Sequence, residues 1–132
     1  MRYTKKYFKS GNNKLRYFEI GAGKPVLFLH GGGLSAMAYE KVLNLLAEKY
    51  LVVAPDLPCF GESTCPDDTD EYFEIMDRFI KHLGFEKMAV IGHSIGGVIA
   101  LHLAAKNRTI QRLILVDAVG VTQDVSSAKF LN

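Results

Sequence analysis

Ser94 is the residue whose type and spacing best suit covalent chemistry in this sequence. It stands in Met88-Ala89-Val90-Ile91-Gly92-His93-Ser94-Ile95-Gly96-Gly97-Val98, an apolar run followed by closely spaced glycines. The pattern predicts a short buried strand, a tight turn with Ser94 at its apex, and then a helix. Gly92, Gly96 and Gly97 lack a Cβ and allow the close backbone approach that such a turn demands. The spacing Gly92-x-Ser94-x-Gly96 fits a nucleophile elbow, which holds a serine hydroxyl proud of a sheet. At the helix N-terminus the dipole and unpaired N–H groups favour developing negative charge.

Two plainer readings compete. Met88 to Ala105 carries no formal charge and is about long enough to span a bilayer. His93, Ser94 and three glycines in its middle argue against a span, as does the lack of flanking anchors. Alternatively Ser94 is a structural turn residue, a reading that weakens as the rest of the chain is added.

The elements around the elbow must place it. Tyr3 to Lys9 and Lys14 to Ile20 alternate with period two about Ser10-Gly11-Asn12-Asn13, a hairpin signal. Pro25-Val26-Leu27-Phe28-Leu29 is continuously apolar, as a strand covered on both faces would be, and it runs into His30-Gly31-Gly32-Gly33. Ser35 is placed to cap a helix to about Glu48, with Tyr39, Val42, Leu43 and Leu46 on one face. Leu51 to Ala54 predicts another buried strand, ending in the Pro- and Gly-rich loop Asp56 to Ser63. A helix should follow Asp67-Asp68-Thr69-Asp70, with Tyr72, Met76, Phe79, Ile80 and Leu83 as its stripe and Gly84 as its stop. The helix after the elbow, to about Lys106, is apolar nearly all round and should be deeply buried. Gln111 to Val116 reads as one more strand, closed by Asp117, and Val119 to Asn132 stays unassigned.

A hairpin followed by alternating strands and helices predicts an α/β fold. The sheet is mostly parallel with an N-terminal antiparallel hairpin, helices on both faces, about six strands and three main helices. Chemistry in such sheets gathers at the carboxyl ends of the strands. His30 to Gly33, Asp56 to Ser63, Ser94 and Asp117 all fall there, independently of the elbow motif.

Composition bounds the partners. The 132 residues suit one domain, 1–132, and 48% hydrophobic with 23% charged residues describes a globular chain. A net charge of +2 implies neither nucleic acid nor membrane as partner. Arg2, Lys5, Lys6, Lys9, Lys14 and Arg16 alternate with aromatics and read as a solvated sheet face. Gly21-Ala22-Gly23-Lys24-Pro25 lacks the spacing and the Ser/Thr of a phosphate loop, and no cofactor or metal is expected. Met-Arg-Tyr-Thr-Lys-Lys has no apolar segment behind it, so a cytoplasmic location with Cys59 and Cys65 as reduced thiols is expected, with a local disulfide between the two as the alternative.

Three motifs together, His30-Gly31-Gly32-Gly33, Asp56-Leu57-Pro58-Cys59-Phe60-Gly61-Glu62-Ser63 and Gly92-His93-Ser94-Ile95-Gly96-Gly97, make the chain resemble the α/β hydrolase family over essentially its whole length. The second motif usually has Gly where this chain has Cys59, a change expected to alter the loop only locally. The resemblance implies Ser94 as nucleophile. It implies an oxyanion hole from the Ile95 N–H and an N–H of Gly32 or Gly33, each donor worth a few kcal/mol. Dehalogenases and epoxide hydrolases of this fold carry Asp at the elbow. Ser94 therefore points to a small-molecule acyl substrate: an ester, thioester, amide or C–C bond next to a carbonyl.

A serine hydroxyl needs a base at neutral pH, and the family order is Ser, then Asp or Glu, then His. After Ser94 comes only His102, eight positions into the helix and about 12 Å along its axis. It reads as a structural histidine, His93 as pointing away from the hydroxyl, His30 as packing the glycine loop and His82 as remote. Asp117 is a candidate triad acid, with a structural loop role as the alternative.

The family continues with a lid, two more strands and at least two more helices, none of which follows here. The chain thus resembles the N-terminal half of the fold. Two consequences are expected: the Leu113–Val116 strand becomes an apolar edge, and the helix from Ser35 lacks a neighbour. Self-association or a partner chain through that edge follows. Two functions stand side by side: a serine hydrolase incomplete by itself, and a non-catalytic small-molecule binding module or remnant.

Overall fold

Leu27 and Leu29 lie on one side of their strand and Phe28 on the other, and all three are buried. This two-sided burial explains the unbroken apolar run. The computed structural model describes residues 2–118; the unassigned tail Val119 to Asn132 lies outside the described residues. Strands β1 (Tyr3–Ser10) and β2 (Asn13–Ile20) form the antiparallel hairpin. Strands β3 (Lys24–Leu29), β4 (Tyr50–Pro55), β5 (Met88–His93) and β6 (Ile110–Val116) run parallel to one another. The sheet order is β1-β2-β4-β3-β5-β6, with β2 antiparallel to β4. This is the mixed sheet that the alternation predicts.

Helices α2 (Thr69–Leu83) and α3 (Ile95–Lys106) cover one face, through Phe79, Met76, Ile99 and Leu103 against Leu27, Val53 and Val90. Helix α1 (Glu40–Ala47) covers part of the other, through Leu43 and Ala47 against Phe18, Phe28 and Val52. The β5–β6 side of that second face is a groove lined by Val26, Leu46, Ala89, Ile91, Arg112 and Ile114 among others. Strand β6 is one edge of the sheet among the described residues, opposite β1, with Ile114 50% and Val116 45% exposed. No helix among the described residues is long and apolar enough to cross a membrane.

Several local expectations change in the tertiary context. Ser35 makes no side-chain cap; the Asp56 carboxylate accepts the Ala36 N–H at 2.9 Å and caps a 3-10 turn (Ala36–Tyr39) that leads into α1. The side chain of Asp68, by contrast, does cap α2, accepting from Glu71 N–H at 2.8 Å, and Gly84 ends it with φ 67°. Val42 and Leu45 on α1 are exposed, so its apolar stripe is narrower than expected. Helix α3 is buried on one side only, with Leu101 and Ile95 partly open to solvent. Its apolar outer side follows from composition, but the sheet can cover only one flank.

Arg16 does not belong to the solvated basic face. Its guanidinium reaches the fully buried Asp56 (2.6 Å) and Glu62 (2.7 Å). Residue 16 sits beside the β4 terminus through the β2–β4 pairing, a neighbour relation no local pattern reveals.

Cys59 and Cys65 are disulfide-bonded, which corrects the expectation of free thiols. The loop doubles back so that Cys59 N–H donates to Thr64 O at 3.0 Å, bringing the two Cα atoms to 4.0 Å. Cys59 keeps the left-handed backbone (φ 75°) that glycine normally supplies.

Candidate functional site

The carboxyl ends of β3, β4, β5 and β6 bring three loops together. Strand β5 delivers Ser94 at φ 54°, ψ −119°, a conformation that L residues adopt only under constraint. The constraint is visible on both sides. Ser94 N–H donates to Val116 O at 3.0 Å, and Gly97 N–H donates to Ser94 O at 2.9 Å. A Cβ at Gly96 would run into the carbonyl oxygens of Leu29 and His30, so the helix can start this close to β3 only with glycine there.

Ser94 is partly buried and its side chain makes no capping hydrogen bond. Opposite it lies the glycine loop. A Cβ on Gly32 would sit 3.6 Å from Ile95 Cγ2, so Gly32 and Ile95 face each other across the site. Gly33 (φ 75°) is open on its outer side. The amides of Gly32, Gly33 and Ile95 have no acceptor among the described residues. Gly32 and Ile95 are thus brought together next to the serine, at a helix N-terminus where partial positive charge collects, and Gly33 follows Gly32 in the loop.

His30 ties the glycine loop to the loop after β4. It is fully buried; its Nε2 accepts from Leu57 N–H at 2.8 Å, which leaves the proton on Nδ1 to donate to Gly31 O at 2.7 Å. Burial lowers its pKa, with the Gly31 carbonyl and Asp56 partly opposing. Asp56 is the centre of that second loop. It accepts from Ala36 N–H, Arg16 Nε and Glu62 N–H, and its carbonyl accepts from Ser63 Oγ at 2.7 Å. Gly61 is held at φ 53° with its α-carbon against that carboxylate, where any Cβ would collide with it.

No described imidazole bonds the Ser94 hydroxyl. His30 is engaged as above, His93 Nδ1 meets Tyr39 Oη at 2.6 Å, and His102 Nε2 lies 3.0 Å from Asp77 Oδ2. His82 stacks on Phe8. Asp117 has φ 46° and is exposed just beyond Val116, whose carbonyl holds Ser94 N–H. It makes no hydrogen bond among the described residues.

Sequence reasoning missed the polar role of Tyr39, read as one residue of an apolar stripe, and the pairing of Arg16 with Asp56. Neither had a local signal.

A family profile described as alpha/beta hydrolase fold matches residues 24–131. The chain is 30% identical over 131 residues to 2-hydroxy-6-oxo-6-(2'-aminophenyl)hexa-2,4-dienoic acid hydrolase of Metapseudomonas resinovorans, covering 93% of this chain and 45% of that protein. It is 34% identical over 110 residues to the soluble epoxide hydrolase of Corynebacterium sp. (strain C12), covering 80% and 38%. The thioesterase domain from the curacin biosynthetic pathway superimposes with a TM-score of 0.83 at 26% identity, over 99% of this chain and 52% of that one. The chain spans less than half the length of these two curated relatives.

Proposed function

The chain belongs to the α/β hydrolase family, and from that premise we propose that it carries the nucleophile half of a serine hydrolase site. Ser94 is the nucleophile, and the amides of Ile95 and of Gly32 or Gly33 form the oxyanion hole. The substrate is a small molecule with a reactive carbonyl: an ester, thioester, amide or C–C bond next to a carbonyl. Ser94 Oγ attacks the carbonyl carbon, its proton passes to a base, the carbonyl oxygen takes the negative charge, and the leaving group departs as the carbonyl reforms. The sequence has no histidine beyond His102, so the base comes from outside these 132 residues. Asp117, at the end of β6, is the proposed acid partner of that base.

The observation that carries this reading is the strained Ser94 beside a glycine loop, where the Gly32, Gly33 and Ile95 amides have no acceptor among the described residues. The relative from Metapseudomonas resinovorans, whose name states an oxo-dienoic acid, agrees with a carbonyl substrate. A serine at the elbow favours acyl chemistry over epoxide opening.

Without a base, the hole and binding alone would give about 10³–10⁴ over water. A second reading, a non-catalytic small-molecule binding module, is favoured by one observation: no described histidine meets Ser94. A fluorophosphonate probe separates them. Labelling of the native chain that vanishes in Ser94→Ala supports the hydrolase; a folded chain that never labels, even with imidazole added as an external base, supports the binding module.

The same proposal includes association through the Leu113–Val116 edge, with a second copy or a partner chain that covers the apolar β6 side. Light scattering at micromolar concentration tests it, and a monodisperse monomer refutes self-association. A cytoplasmic location is proposed as well, where the reducing environment would open Cys59–Cys65. Alkylation of the thiols in intact cells reads that directly.

A further inference from the structure

Tyr39 closes the 3-10 turn before α1, and its ring is held on two sides. It packs on Phe28 (centroids 4.9 Å apart) and meets the His93 imidazole edge-on (5.7 Å). The hydroxyl therefore occupies one position, and two backbone segments converge on it. Gly31 N–H donates to Tyr39 Oη at 3.0 Å, and Oη lies 2.6 Å from His93 Nδ1. The phenol has one hydrogen. With the oxygen accepting from Gly31, the bond to His93 is made either by that hydrogen going to Nδ1 or by an Nδ1–H donating to the oxygen, and in both cases the one hydroxyl bridges the two segments.

Gly31 is buried, so its N–H depends on this hydroxyl for a partner. The two tied residues each stand next to the site: Gly31 precedes Gly32, and His93 precedes Ser94. They also mark a close approach of the two segments. A Cβ on Gly31 would lie 3.0 Å from His93 Nδ1, 3.2 Å from Tyr39 Oη and 3.4 Å from Ser94 Cβ.

We infer that Tyr39 is a positioning residue: its hydroxyl is a strut between the glycine loop and the elbow that sets the separation of the Gly32 and Ile95 amides. Preorganised donors act because they need no rearrangement when charge develops. Without the strut the Gly31 amide swings to find another acceptor, and Gly32 moves with it. The consequence for Ser94 reactivity rests on the serine hydrolase reading above; the strut itself does not.

The experiment is Tyr39→Phe in the full chain, which keeps the ring and removes only the hydroxyl. Two measurements are made. Nitrogen NMR of labelled histidine should show the His93 Nδ1 of the wild type hydrogen-bonded. In Tyr39→Phe that resonance should move toward its unbonded value and the Gly31 amide should shift. Unchanged resonances, or an unbonded Nδ1 in the wild type, overturn the strut. The wild-type Nδ1 decides the matter even if the variant does not fold. In the second measurement, with imidazole added as an external base, fluorophosphonate phosphonylation of Ser94 (P–O bond formed, fluoride released) should slow about tenfold in Tyr39→Phe. An unchanged rate overturns the positioning role. A wild type that never labels even with the added base refutes the hydrolase reading and leaves the NMR result to decide the strut.

Discussion

Two loops leave the carboxyl edge of the sheet side by side, and they treat their polar groups in opposite ways. In the loop after β4, Asp56 accepts from Ala36, Arg16 and Glu62, its N–H donates to Arg16 O, and its carbonyl takes the Ser63 hydroxyl. Across from it, Ser94 holds a strained backbone and the Gly32, Gly33 and Ile95 amides lack acceptors among the described residues. A saturated network fastens the fold. An unsaturated, strained one is where a ligand completes the bonding. Both motifs are rich in glycine and loop residues, and only their hydrogen bonds tell them apart.

The comparison can be broken most sharply at Asp56. Asp56→Ala leaves the nearly buried Arg16 with only the half-exposed Glu62 as partner and uncaps Ala36. We expect a loss of about 3–5 kcal/mol in urea unfolding. A loss under about 1 kcal/mol would mean the fastening lies elsewhere. Next in size is the disulfide that closes the same loop. Its reduction, or Cys65→Ser, should cost about 2 kcal/mol. The shift of the unfolding midpoint with reductant measures it, and no shift would contradict it.

The elbow should respond in the other direction. Ser94→Gly relieves the positive φ and should raise stability by about 1 kcal/mol while abolishing labelling. A lower melting temperature in that variant would remove the strain from the argument.

His30 joins the two loops and contributes a smaller, pH-dependent effect. Burial holds its imidazole below the ordinary value, so the unfolded chain binds the proton more readily than the folded one. The stabilisation is complete above the unfolded value of about 6.5 and is lost as the pH falls below it, so stability rises with pH through that window. His30→Gln should flatten that slope, and an equal slope in the variant would assign the effect to other groups.

The smallest effect is at Ser35. Because Asp56 does the capping, Ser35→Ala should change stability by under about 0.5 kcal/mol, whereas Asp68→Ala should cost about 1 kcal/mol. Equal losses in thermal melts would restore Ser35 as a cap.

Much of this arrangement was legible in the residues. Period-two alternation located the hairpin to within a residue, the polar run Asp67 to Asp70 marked the start of α2, which begins inside it at Thr69, and Gly84 marked its end. The three motifs marked the loops that meet at the sheet edge. Ser35 misled because a capping residue is chosen by which acceptor lies nearest in space. Arg16 misled because alternation with aromatics describes a strand face but not what lies at its end.

By itself the sequence determined the strand and helix order, the glycine-bounded serine and the absence of a histidine after His102. Those are properties of neighbours along the chain, set by side-chain periodicity and backbone sterics. Only the tertiary structure decided that Asp56 rather than Ser35 caps the turn, that Cys59 meets Cys65, and that Tyr39 stands between Gly31 and His93. Except for the short cysteine loop and the eight-residue step from Gly31 to Tyr39, these contacts join residues far apart in sequence. Sheet register and helix packing bring them within hydrogen-bond range, and no local pattern encodes that meeting.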